Sequence, residues 1–194
     1  MRILIFILLL PLVCQAQVRY EIHCRSDVLN KSYCILRQQV GVKEKTGHND
    51  GKQIAVYLKS VGINYPAAYC AAGQYWCFYE ACIYFNYSTD EIPIPRSGMA
   101  NAAYDYARRY GKRTGYIPQK HDLIVWRNSK GFGHIERVVY TGQVGWVITI
   151  GFNTSNGQSG SQYEGNGVFK RKRNIYHWLG SRKIRGLVGF KVNK

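Results

Sequence analysis

Gly133-His134-Ile135-Glu136-Arg137-Val138-Val139-Tyr140-Thr141-Gly142-Gln143-Val144-Gly145-Trp146-Val147-Ile148-Thr149-Ile150-Gly151-Phe152-Asn153 reads as one β-hairpin. Ile135 to Tyr140 and Trp146 to Ile150 are rich in β-branched and aromatic residues, and Thr141 to Gly145 is a turn signal between them. Further strand runs flank it: Leu123-Ile124-Val125-Trp126 before, Gly167 to Lys170 and Gly186 to Val192 after. The chain N-terminal to these runs is helical. Ile54, Tyr57, Leu58 and Val61 recur at helical spacing, with Asp50 as the expected cap and Gly62 beyond the end. A second helix, from near Cys70 to about Phe85, is apolar on most sides and is expected to be buried. A third has Ser97 as N-cap, a face of Met99, Ala102, Ala103, Tyr106, Ala107 and Tyr110, and Gly111 as C-cap. Helices followed by antiparallel strands predict an α+β fold, with N-terminal helices packed on an antiparallel β-sheet.

The 194 residues suit a single core, and 46% hydrophobic residues is a globular composition. The first sixteen residues read as a signal peptide: Arg2, an apolar run from Ile3 to Val13, and a small-residue cleavage site ending at Ala16. The run is too short for a transmembrane helix, which needs about 20 residues. A retained anchor or lipidation at Cys14 are the alternatives. Residues 17–39 read as a polar lead segment and 40–194 as the functional domain. Export predicts a periplasmic or secreted protein, with no stable membrane insertion once the signal is removed. A net charge of +16 and a pI near 9.7 predict an anionic partner. Export argues against nucleic acid and leaves anionic lipid or a wall polymer. The densest basic cluster, Lys170-Arg171-Lys172-Arg173, reads equally well as a solvated turn. The protein is expected to act as a monomer.

Beyond Cys14 the cysteines are Cys24, Cys34, Cys70, Cys77 and Cys82. Cys24 and Cys34 flank a short polar stretch and are the expected disulfide. Cys70 and Cys77 are two helical turns apart, about 10 Å, too far for a bridge. Cys70 is therefore free to serve as a nucleophile. At a helix start it feels the positive end of the dipole, which lowers the thiol pKa. First-turn N–H groups there can hold an oxyanion. His134 follows Gly131-Phe132-Gly133, where glycines permit close approach, and is the candidate base. If the turn centres on Gln143, His134 lies opposite Phe152 within one register step, and Asn153 falls beside it. Asn153 is the favoured residue to orient the imidazole. Glu136, two residues along the same strand and on the same face, is its rival. Tyr69, just before the nucleophile, and Trp76 are candidates to touch substrate, with a core role for Trp76 as the alternative. No metal-ligand motif occurs and no cofactor is expected.

In order along the chain, several pieces resemble CHAP-type cysteine peptidoglycan hydrolases, relatives of the NlpC group. They are Thr46-Gly47-His48-Asn49-Asp50-Gly51, Tyr69-Cys70-Ala71-Ala72, Trp76-Cys77, and His121-Asp122-Leu123-Ile124-Val125-Trp126. Gly133-His134-Ile135, Thr149-Ile150-Gly151-Phe152-Asn153-Thr154-Ser155, and Glu164-Gly165-Asn166-Gly167-Val168-Phe169 with Arg171 and Arg173 complete the set. The resemblance implies a papain-like α+β fold. It also implies cleavage of an amide bond in peptidoglycan, either between muramic acid and L-alanine or within the stem peptide. Cys70 would be nucleophile, His134 base and Asn153 third member. Two departures stand out: Gly151 replaces a frequent glutamate, and Phe152 replaces a small glycine. A basic wall-binding module without catalysis, and a secreted toxin using the same chemistry, are the competing readings.

Overall fold

The computed structural model describes residues 18–157 and 165–192. The signal-peptide assignment to 1–16 lies outside them. The elements are β1 (Arg19–Cys24), α1 (Ser26–Gln38), α2 (Lys52–Ser60), α3 (Cys70–Tyr84), α4 (Ala100–Tyr110), β2 (Lys112–Gly115), β3 (Leu123–Arg127), β4 (Gly133–Thr141), β5 (Trp146–Thr154), β6 (Gly167–Asn174) and β7 (Lys183–Val192). The fold is α+β. One seven-stranded sheet has the order β2-β1-β7-β3-β4-β5-β6, and only the β1–β7 pair is parallel.

Residues 18–39 are not a lead segment. β1 sits inside the sheet between β2 and β7. α1 buries Val28, Leu29, Ile35 and Leu36, so the stretch read as a polar loop is an amphipathic helix. The expected Cys24–Cys34 disulfide is absent for the same reason. Cys24 points into the core from the end of β1, Cys34 lies on the solvent face of α1, and both thiols are free.

α3 is the apolar centre of the helical layer. It packs between α1 and α2 and rests on β4 and β5. The close approach to β5 depends on Gly73, where a Cβ would lie 2.2 Å from the Phe152 ring. β3 is buried on both faces, which explains its unbroken apolar run. Leu123 and Val125 join the core beneath the helices, whereas Ile124 and Trp126 join a second cluster with Val138, Val147, Ile175, Leu179 and Leu187.

Three helix details differ from expectation, the first being that Met99, whose N–H donates to Ser97 Oγ, is the N-cap of α4 in place of Ser97. Asp50 does not cap α2: its Oδ1 accepts the Thr46 N–H at 2.8 Å, closing the preceding loop, and Gly51 is the N-cap. α4 buries Ala100, Ala103, Tyr104 and Ala107. Its face is thus rotated from the expected one, leaving Met99 71% exposed and Tyr110 in solvent. Gly111 ends α4 as expected, and a Cβ there would collide with the carbonyls of Ala107 and Glu21.

Candidate active site

The start of α3 places Cys70 against the start of β4, which carries His134. Cys70 is 5% exposed and His134 7%. The two side chains lie close enough to act on each other's protonation. The His134 Nε2 lies 3.1 Å from Glu136 Oε1, which leaves Nδ1 as the nitrogen for the sulfur. Ring orientation is further limited by Trp126, its partner across β3–β4, with ring centroids 5.9 Å apart.

The pair's electrostatics separate Cys70 from the other buried cysteines. Burial pushes Cys24 up to about 12 and Cys82 up to about 11, and raises Cys77 as well. Burial acts on Cys70 in the same direction, but the His134 hydrogen bond and charge, with the backbone N–H groups of Ala71 and Ile135, outweigh it and bring the thiol below its ordinary value. His134 behaves reciprocally. Burial disfavours its charge, yet hydrogen bonds and charges from Cys70 and Glu136 raise it to about 9. Each partner favours charge on the other, and a thiolate is the form in which a cysteine acts as a nucleophile.

Glu136 is fully buried and fourfold supported. Arg173 grips it through Nε to Oε2 at 2.9 Å and Nη2 to Oε1 at 2.5 Å. Thr149 Oγ1 donates to Oε2 at 2.5 Å and Thr154 Oγ1 to Oε1 at 3.4 Å. Burial alone would raise this carboxyl, but the Arg173 charge and hydrogen bonds, then His134, hold it far below the usual range.

The expected third member is therefore corrected: His134 is oriented by Glu136, not by Asn153. β5 carries a bulge between Gly151 and Thr154, and Asn153 has φ 50°. The bulge breaks the two-residue alternation that placed Asn153 beside the ring. Asn153 Oδ1 is buried and accepts no hydrogen bond among the described residues. Thr154 faces Glu136 in its stead.

The two aromatic assignments are corrected as well. Tyr69 is 0% exposed and stacks on Tyr57 at 6.1 Å, so it supports the site from beneath. Trp76 packs on Tyr57 at 5.1 Å and walls a separate cavity of about 450 Å³ beside α2, with Lys59, Glu80 and Arg96. Arg173, Thr149 and Thr154 stand in the quoted motifs, but the motifs assign them no role at Glu136. The alternation within Lys170-Arg171-Lys172-Arg173 was the available signal: the lysines are exposed and Arg173 turns inward.

A basic groove adjoins the β3–β4 connection. Arg127 pairs with Gly133 in register, next to His134. It lines a cavity of about 570 Å³ with Tyr106, Arg109 and Arg185. Arg127 and Arg185 also line an adjoining cavity of about 500 Å³ with Trp178 and Lys183. Arg185 is locked to Asp105 at 2.6 Å. Among the described residues, Arg109, Arg127 and Lys183 form no close ion pair, and Arg127 acts on Asp105 at longer range. No metal-binding cluster occurs among the described residues.

Compared with protein-family models, curated proteins and solved structures, the chain matches none of them.

Proposed function

We propose that this chain is an exported CHAP-type cysteine peptidoglycan hydrolase with a papain-like arrangement of helix and sheet, cutting an amide bond in the wall polymer. The observation that carries the reading is the Cys70 thiol, held below its ordinary pKa by His134 while the other buried thiols are pushed up. The ordered motifs supply the substrate class. Arg109, Arg127 and Lys183, in grooves at the β3–β4 connection that neither Cys70 nor His134 lines, suit a carboxylate-bearing polymer.

In the proposed reaction the Cys70 thiolate attacks the amide carbonyl. First-turn N–H groups of α3, with Ala71 foremost, receive the developing oxyanion. The imidazolium of His134 protonates the leaving amine, and the acyl group remains on sulfur as a thioester. His134, now neutral, takes a proton from water, and the hydroxide formed attacks the thioester, releasing the acid and restoring the Cys70 thiolate beside the imidazolium. Glu136 holds the ring so that Nδ1 serves the sulfur in both steps.

The test is mass spectrometry of purified peptidoglycan after digestion with wild type and with Cys70→Ala. New amine termini from wild type alone support the reading and identify the bond. Equal release by both overturns it. Sedimentation with the polymer without release by wild type supports a basic wall-binding module instead.

A further inference from the structure

We propose that Arg173 is a positioning residue that balances the charge of the buried dyad through Glu136, and so keeps Cys70 able to ionise. The proposal rests on Cys70 and His134 acting as a nucleophilic pair, and deepens that reading by naming what controls the pair.

The argument is a count of charges in a water-poor site. From β6 inward the groups are Arg173, Glu136, His134 and Cys70. Over these four groups the reactive form carries plus, minus, plus and minus, which sums to zero. Glu136 is fully buried and Arg173 is 9% exposed, so solvent screens these charges poorly. Arg173 meets the carboxylate with two nitrogens and also donates to Thr154 Oγ1 at 3.2 Å. Such a bidentate pair fixes both orientation and charge. Without Arg173, forming the thiolate would give the buried group a net charge of minus one, at a cost of desolvation. The thiol would then keep its proton to higher pH. Removing Glu136 together with Arg173 leaves imidazolium and thiolate alone, again neutral.

The other groups facing this carboxylate do not replace Arg173. Thr149 and Thr154 from β5 are neutral donors. Arg171, on the same face of β6, also acts on Glu136 electrostatically but is half-buried and makes no ion pair with it among the described residues. Glu44 acts on Tyr69. On the sulfur itself the acting groups are His134 and the N–H groups of Ala71 and Ile135.

The experiment is alkylation of Cys70 by iodoacetamide across pH 4 to 10, followed by peptide mass spectrometry on the full chain. Thiolate displaces iodide, so the rate reads ionisation without any substrate, and failure of the wall-hydrolase reading leaves this test intact. Arg173→Met is expected to move the midpoint up by about one pH unit or more, roughly a tenfold loss of rate below the midpoint. Arg173→Lys, which keeps the charge, stays near wild type. The double variant Glu136→Gln with Arg173→Met recovers most of the shift. An unmoved midpoint in a folded Arg173→Met, or a double variant no better than the single, overturns the proposal. If Arg173→Met fails to fold while the double variant folds, charge balance is supported. If neither folds, Arg173 is structural and the proposal fails.

Discussion

Glu136 and Gly151 face each other directly across β4 and β5, and a Cβ on Gly151 would lie 2.7 Å from the Glu136 Cγ. Glycine at position 151 thus makes the room that the Glu136 side chain occupies. Gly73 and Phe152 form a second such pair: the bulky ring on β5 fits because α3 has no side chain there. In both pairs a glycine makes room for the large side chain that faces it.

Gly151→Ala should therefore displace the carboxylate and loosen His134 while leaving the sheet intact. A misplacement of this kind costs about 10²-fold in rate. Peptidoglycan release measured beside a far-ultraviolet spectrum checks it. Full activity would show that Glu136 does not set the geometry.

Gly73→Ala forces a methyl into the Phe152 ring and is expected to destabilise the fold by about 1–3 kcal/mol. Adding Phe152→Leu should recover part of the loss. Denaturant melts of the two variants measure the coupling.

Thiol accessibility follows the same geometry. In the native protein Cys34 should react rapidly with a disulfide reagent, while Cys24, Cys77 and Cys82 should resist until denaturation, being buried and held protonated. A mass two units low under non-reducing conditions, mapped to Cys24 and Cys34, would contradict the free thiols.

Glu136, the most deeply buried of the carboxylates held below their ordinary pKa, is expected to shape the acid limb of stability. Its folded pKa is depressed from 4.5, so its contribution is present above pH 4.5 and is lost as pH falls below it. The Tm of wild type should drop more steeply between pH 5 and 3 than that of Glu136→Gln. Parallel curves would mean that another carboxylate governs acid unfolding.

Arg127→Ala should weaken binding rather than chemistry, raising KM severalfold with kcat unchanged, and should reduce the sensitivity of activity to salt. A fall in kcat at constant KM would place Arg127 in the chemical step rather than in the groove.

The sequence by itself determined the α+β class, the helix that begins at Cys70, the hairpin that carries His134, and Cys70 as the cysteine to watch. These are local properties: apolar spacing, turn residues and a helix start are written in consecutive positions. It also placed Glu136 on the same strand face as the imidazole. Only the tertiary structure decided between Glu136 and Asn153, because a bulge in β5 turns Asn153 aside and no local pattern announces it. It alone buried Tyr69, turned α1 from a polar stretch into a core helix, and rotated the packed face of α4, since burial depends on what covers a surface. It alone drew Arg173 inward from a run of four basic residues, because a guanidinium enters the core only where folding brings a carboxylate to meet it.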